Sequence, residues 1–494
     1  MNDKTTNPQV YAPNIHLFAF HLRNSLKAGS GKVVDNAQLL WQKCDLIFNK
    51  LSINQQLDIY GYRKSVYKYE HEPSGNIVDL HPNTVLKFED KTTLNSKDVI
   101  ISGRAYPQRI YDSYALSFNI RRPETENGQK TDAVDLALLS NFNTDECILL
   151  PDFLESSLGQ TIIITAGLTD EQKLEDANSL KLLADNCLEA FIPNTDKRPE
   201  YNRLDKLFSS YIFEYGRLIF DSNLLSQPPR YCHVIVWLFS TEETSEKFIE
   251  CYQDFLDLYL YRNKIISTFQ ATREIHKELY HKYEVIEGEI KEINQALSSL
   301  PESGSLSQSN LQLLKEKLKK MPKLDLEYSH LLRNLEHDRN TITINTKNYL
   351  ESLQEISSKL RANPKYSLYN DLRFLENFSK EECPYFQERI QADFNYFVQG
   401  SNLVDKAIAS IRGMVEIEQA QRNRSLERTI QILGVGLGTG GIVASAISSH
   451  IETPITLTPT SNSNKLHPAV NTLFWSVAFL LLAAGVTWLS TKRN

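Results

Sequence analysis

Five small residues near the C-terminal end of the chain, Gly434, Gly438, Gly441, Ser445 and Ser448, follow one another by steps of four and three, so a helix sets all of them on one face. In a membrane such a face has two uses. It lets helix backbones approach closely, as the GxxxG pairs Gly434/Gly438 and Gly436/Gly440 favour. In a symmetric assembly, its glycine backbone and serine hydroxyls line a pore permissive for a partly hydrated ion. Just before it stand Arg422, Arg424 and Arg428. Arranged around a symmetry axis they form a cytoplasmic basic collar that opposes cations or favours anions; taken singly they fix topology and meet anionic headgroups. Glu418 lies four residues before Arg422, a spacing that puts the two on the same side of a helix.

Covalent chemistry finds little support. His276 and His281 are five apart and His330 and His337 seven apart, neither matching the i, i+4 spacing that lets two imidazoles share a metal. HExxH and GxSxG are absent. The run GVGLGTGG lacks the GK[ST] ending of a phosphate loop and follows a helical rather than a strand pattern. Six cysteines (Cys44, Cys147, Cys187, Cys232, Cys251, Cys383) contain no CxxC pair and read as reduced, mostly buried thiols. Glu284, Glu287, Glu289 and Glu292 read as a solvated helix face. A net charge of −7 without a long Lys/Arg run argues against nucleic acid as a partner. The expectation is a protein that is not an enzyme and needs no cofactor, with the identity of any metal unknown.

The elements that must position the small-residue face are two apolar stretches, 429–448 and 470–490, each about 20 residues without a formal charge, enough to span roughly 30 Å of hydrocarbon as helix. They predict a C-terminal two-helix transmembrane hairpin with a short outer loop. Arg422, Arg424 and Arg428 before it, and Lys492 and Arg493 after it, place both termini in the cytoplasm by the positive-inside rule, and Trp475 and Trp488 suit the two interfacial belts. The polar N-terminus predicts no cleavable signal, leaving the spans to target the chain to an inner or plasma membrane.

Upstream of the first span, Ile390, Phe394, Phe397, Ser401, Val404, Ile408, Ile411 and Val415 alternate by four and three, a heptad seam that requires a partner helix. The partner is either the same helix of other subunits or the preceding helices of this chain. With Pro384 in its first turn, this stalk runs about 65 residues, on the order of 95 Å, into the membrane. Residues 240–428 thus read as long antiparallel helices and stalk. Phe248, Tyr252, Phe255, Tyr259, Ile266 and Phe269 form an aromatic-rich packing stripe. Residues 1–239 mix strand patterns (15–22, 99–101, 161–165, 231–239) with helical ones at 37–51, behind a Thr169/Gln172 capping box, and at 204–219. Residues 109–122 alternate as a half-buried strand with Ile110, Tyr114, Leu116, Phe118 and Ile120 inward. The fold class is α+β: an N-terminal α/β cytoplasmic domain, a long helical coiled-coil stalk, the hairpin, and a tail at 491–494.

This order of parts resembles the CorA family of divalent-cation transporters, homopentamers whose first span lines a central pore. The resemblance covers nearly the whole chain in layout and implies a homo-oligomer in a lipid bilayer, acting as an ion (metal cation) channel or transporter with a cytoplasmic regulatory domain whose ligand is unknown. One departure is specific. The family's Gly-Met-Asn triplet at the outer end of the first span is replaced by Ser445-Ala446-Ile447-Ser448-Ser449-His450, so no selectivity residue carries over. A membrane-tethered sensor, scaffold or conflict-system effector without transport is the alternative.

Overall fold

The structure, a computed structural model, describes residues 8–25, 32–55, 57, 59, 75–144, 147–216, 231–298, 306–366, 371–448 and 468–493. In chain order its elements are β1 (Gln9–Leu22), β2 (Asn24–Ser25), β3 (Lys32–Val33), α1 (Leu39–Lys50), β4 (Ile77–Asp79), β5 (Leu86–Leu94), β6 (Lys97–Ile110), β7 (Ser113–Arg121), β8 (Thr125–Glu126), β9 (Gln129–Lys130), β10 (Val134–Asp135), α2 (Leu138–Asn143), α3 (Pro151–Leu154), β11 (Gly159–Gly167), α4 (Ala177–Phe191), β12 (Tyr201–Leu207), β13 (Ser210–Tyr215) and β14 (His233–Phe239). Helices then take over: α5 (Glu242–Glu250), α6 (Tyr252–Ser298), α7 (Gln308–Ala362), α8 (Arg373–Asn377), α9 (Cys383–Ser448) and α10 (Pro468–Arg493). They form two compact units, Met1–Leu279 with Leu331–Tyr396, and Tyr280–His330 with Phe397–Asn494.

The first unit is built on a mixed sheet in the order β12-β13-β14-β11-β1-β7-β6-β4, with β5 on β6 and β10 on β1. Its pairs are antiparallel except β11 with β14, which α4 and the β12–β13 hairpin connect as a crossover. Strand alternation divides the side chains between two faces. Leu17, Phe118, Ile162 and Val236 join Trp41 and Phe48 of α1 and Leu183 and Cys187 of α4 in one apolar core. Phe18 and Trp237 point the other way, onto the aromatic stripe of α5 and α6. Phe18 lies 5.3 Å from Tyr252 and Trp237 5.3 Å from Phe248, ring centre to ring centre. The stripe is therefore a packing face.

That second helical layer changes the reading of β7. Residues 109–122 are not one half-buried strand: the chain turns at Tyr111 and Asp112 between β6 and β7, and Ser113 and Ser117, on the face away from Tyr114, Leu116 and Phe118, are also buried. Ser117 Oγ and the Tyr252 hydroxyl lie 2.9 Å apart, so the hydroxyls satisfy each other beneath α6 and neither has to be bare to water.

Two further expectations are corrected. Residues 204–219 are not a helix: 201–215 form the β12–β13 hairpin, turning at Phe208 (φ 52°) and Ser209 (φ 67°), and 217–219 lie outside the described residues. Positive φ at two successive residues is the geometry of the two-residue type I′ turn, usually announced by Asn-Gly or Asp-Gly. The Thr169/Gln172 box does form, with the Thr169 amide donating to Gln172 Oε1 at 2.9 Å, but it caps only a 3₁₀ turn. α4 starts later, where the Ser179 amide donates to Asp176 Oδ1 at 2.8 Å.

In the second unit the seam of α9 is satisfied within the chain. Ile411 and Val415 pack with Ile293 of α6, with Leu306, and with Leu311 and Leu314 of α7. Tyr328 of α7 donates its hydroxyl to the Phe397 carbonyl at 2.7 Å. Gly400 has a packing reason: a Cβ there would meet Tyr328 Oη at 2.6 Å and Tyr283 Cδ2 at 2.8 Å. The acidic face of α6 is likewise not all solvated. Glu289 is buried and accepts from Lys317 and Lys320 Nζ, each at 2.7 Å.

Candidate functional site

The sequence directs attention to the last four turns of α9 and the segment before them. α9 runs without interruption from Cys383 to Ser448, 66 residues, so the stalk and the first apolar stretch are one helix. Pro384 sits in its first turn, and the turn 378–382 ahead of it is π-helical. The helix is continuous through that turn, the Cys383 amide donating to the Phe378 carbonyl, so Pro384 follows directly on a π-turn.

The three arginines are not equivalent. Arg422 folds back: its Nε donates to Glu418 Oε1 at 2.8 Å, one Nη to Gln308 Oε1 and the other to the Leu306 carbonyl at 3.3 Å. The same carboxylate accepts the Leu306 amide through Oε2 at 3.1 Å. The Arg422 guanidinium and the Leu306 amide hold the Glu418 carboxyl below the usual carboxylate range. Glu418 and Arg422 thus form a clamp on the segment that leads into α7. Arg424 and Arg428 lie about 200° and 240° further round at roughly 100° per residue, and both are exposed with no partner among the described residues. Within one chain, then, Arg422 is engaged in a clamp while Arg424 and Arg428 are exposed cations. The i, i+4 pairing was legible in sequence; Leu306 and Gln308 were not, being more than a hundred residues away.

Gly434 and Gly438 are exposed, and a Cβ built on either meets nothing within 4 Å. Gly441, Ser445 and Ser448 continue the helix, with their side chains outside the described residues. The loop 449–467, including Ser449 and His450, is also outside them. At Gly434 and Gly438 the small-residue face therefore has no cover from the described residues. α10 is apolar around its circumference, with Leu473, Phe474, Val477, Leu481, Leu482, Val486 and Leu489 all exposed. Among the described residues no helix is long and apolar enough to cross a membrane, and no group of three or more His, Cys, Asp or Glu is placed to hold a metal ion.

One polar constellation escaped sequence reasoning. Glu214 of β13, 2% exposed, accepts from His233 Nε2 at 2.9 Å, Arg262 Nη2 at 3.2 Å, Arg203 Nε at 2.6 Å and Asn202 Nδ2 at 3.0 Å. Behind it Asn263 donates to Thr161 Oγ1 at 3.1 Å, and Thr161 lies 3.0 Å from His233 Nδ1. The directions close if His233 is neutral with its proton on Nε2, Thr161 donating to Nδ1. Burial and the Arg262 charge lower His233 to about 4. Burial pushes the Glu214 carboxyl up, but the His233 hydrogen bond and the Arg262 and Arg203 charges more than offset it and hold it well below the usual range. This network ties the sheet to α6. It holds no nucleophile, and burial pushes the Cys187, Cys232, Cys251 and Cys383 thiols up to about 12, far from thiolate.

No family model matches the chain, and no curated protein does. Among solved structures it is similar to the CorA magnesium transporter from Methanocaldococcus jannaschii, at 13% identity and a TM-score of 0.22, over 68% of this chain and 90% of that one. A likeness at that level carries no argument about fold or activity.

Proposed function

We propose that this chain is a homo-oligomeric integral membrane protein whose α9 and α10 ends form a two-span hairpin, with both termini cytoplasmic, and whose first spans assemble into a conduit for metal cations. The observation that carries the reading is the exposed apolar surface at the ends of the two last helices. Leu426, Ile430, Leu433 and Val435 on α9, and apolar residues all round α10, would be costly in water and are at home in hydrocarbon. Three features support it. The open face at Gly434 and Gly438 suits close packing against another copy. Arg424 and Arg428 are free to meet headgroups, as Lys492 and Arg493 would at the other end. The layout of the sequence resembles the CorA family, although without the Gly-Met-Asn triplet nothing nominates magnesium over another ion.

Reconstitution into liposomes tests it. Purified protein should form a ring of defined stoichiometry in detergent and pass a divalent cation, assayed with Mg²⁺, Co²⁺ and Ni²⁺, down a gradient. A monomer with no flux of any cation would overturn the reading. A chain truncated before Thr429 that keeps full biological activity would replace it with the membrane-tethered sensor or scaffold.

A further inference from the structure

The first unit contains a cavity of about 710 Å³ at one end of the sheet, within the size range of small-molecule sites. Its wall is laid out by strand register. Lys87 of β5 is directly opposite Arg104 of β6, and Ser102 of β6 is opposite Arg121 of β7, so two neighbouring rows put three cations on the same face. Like charges directly opposite on paired strands are destabilising; Lys87 and Arg104 are exposed, and of the carboxylates only Glu89, opposite Ser102, shares their face against three cations. Among the described residues Lys87, Arg104 and Arg121 have no ion pair; the one polar contact of Arg121 is Ser102 Oγ at 3.5 Å. The lining carboxylates are Glu89 and Glu126, and Glu126 is taken up by Arg122 at 2.8 Å. Burial and the Arg104 charge both lower Arg121, and Glu124 only partly compensates. Ile100 and Pro123 supply apolar wall beside the cations.

We propose that this cavity binds a phosphate-bearing small molecule, with Arg104 and Arg121 gripping the phosphate, Lys87 and the Ser102 hydroxyl completing its shell, and Ile100 and Pro123 meeting the rest of the ligand. Guanidinium forks match phosphate oxygens in pairs, and a dianion relieves the repulsion the strands otherwise carry. Nothing in the membrane reading requires this site, and its readout is binding, so it stands or falls apart from ion flux.

Isothermal titration of the full chain in detergent with inorganic pyrophosphate and, separately, with ADP tests it. At least one probe should bind saturably, with affinity falling as salt rises. Preference for ADP identifies a nucleotide; equal binding identifies the phosphate groups alone. Arg104→Gln/Arg121→Gln should weaken the bound probe at least tenfold, and Lys87→Gln, on an exposed strand position, should weaken it several-fold with an unchanged circular dichroism spectrum. No saturable binding of either probe, or undiminished binding in both variants, overturns the proposal.

Discussion

Glu214→Gln is the most exacting perturbation of the first unit. The native carboxylate is 2% exposed and its two oxygens accept four donors, from His233, Arg262, Arg203 and Asn202. Glutamine keeps the shape, gives up the charge, and replaces one acceptor with an NH₂ that faces a donor. Arg262, itself 3% exposed, then keeps a buried charge with the Tyr231 hydroxyl at 3.0 Å, the Phe378 ring at 4.9 Å and the charge of Glu382 near it, and its Nη1 has no hydrogen-bond partner among the described residues. Breaking a buried ion pair from one side costs about 3–5 kcal/mol. Arg203 is partly exposed and can rehydrate, which favours the low end, about 3 kcal/mol. At about 2.1 cal/mol/K of unfolding entropy per residue, a unit of more than 300 residues drops in unfolding midpoint by roughly 4–5 °C. Differential scanning fluorimetry of the detergent-solubilised protein measures it. Glu214→Leu/Arg262→Met, which removes both charges at similar volume, should recover part of the loss, because the penalty lies in the orphaned charge rather than in the missing attraction. A Glu214→Gln shift below about 2 °C, or a double variant less stable than the single, would refute the argument that this cluster is charged and mutually satisfied.

Three further outcomes are expected. His233 is lowered to about 4 and His16 to about 3, each mainly by burial. Their folded values lie below the unfolded 6.5, so the folded state binds fewer protons in between; their contribution is complete above pH 6.5 and drains away as pH falls toward 4 and 3, with about 3 kcal/mol at stake for His233. The unfolding midpoint should already fall between pH 6.5 and 5, before most carboxylates titrate, and a flat profile there would contradict buried neutral imidazoles. Gly400→Ala should destabilise the second unit by about 1–3 kcal/mol through overpacking against Tyr328 and Tyr283, and Tyr328→Phe in the same chain should return part of it; a neutral Gly400→Ala defeats the account. Gly434→Ile/Gly438→Ile meets none of the described residues of the subunit, so helicity should be unchanged while the mass of the detergent complex falls; an intact oligomer would show that this face is not the contact between copies.

Where the sequence was legible, a local pattern coincided with the deciding interaction. The apolar runs at 15–22 and 161–165 lie within strands that pair with each other, because β-branched and aromatic residues of strand length had a core on both sides. Glu418 and Arg422 were readable since both partners sit one turn apart on one helix. Phe208 and Ser209 were not, since they turn a hairpin without the glycine or asparagine that normally marks left-handed backbone. Glu214 was hidden for a different reason. Its strand, SYIFEY, looks like one that shows its acid to water, and the residues that make it an interior anion, His233 and Arg262, arrive from 19 and 48 positions away. The cavity beside Arg104 and Arg121 was equally invisible, because only strand register brings Lys87, Arg104 and Arg121 to one wall.

The heptad seam shows how a correct pattern can leave its partner open. Its spacing demands a helix against Phe397, Val404, Ile411 and Val415, and a helix from another subunit would have met the demand as well as one from this chain. The structure meets it internally, with Tyr328 on the Phe397 carbonyl and Leu311 and Leu314 against Ile411 and Val415. Ile390, Phe397, Val404, Ile411 and Val415 of the seam are buried within the chain, while Phe394 and Ile408 are half-buried. Arg422 is spent in the same way, locked between Glu418 and the Leu306 carbonyl. What stays uncommitted lies elsewhere on α9: Arg424 and Arg428 on the opposite side, and the bare backbone at Gly434 and Gly438. A small-residue face contributes little to association in water but allows close backbone approach where lipid is the solvent. On the proposed membrane reading, the Gly434 and Gly438 face of α9 supplies the contact between copies, apart from the Glu418–Arg422 clamp. Glu418→Gln, which weakens the clamp without touching the glycine face, should consequently loosen protection of the Leu306 amide against hydrogen exchange while leaving oligomer mass unchanged; a change in mass instead would place the subunit contact at the stalk.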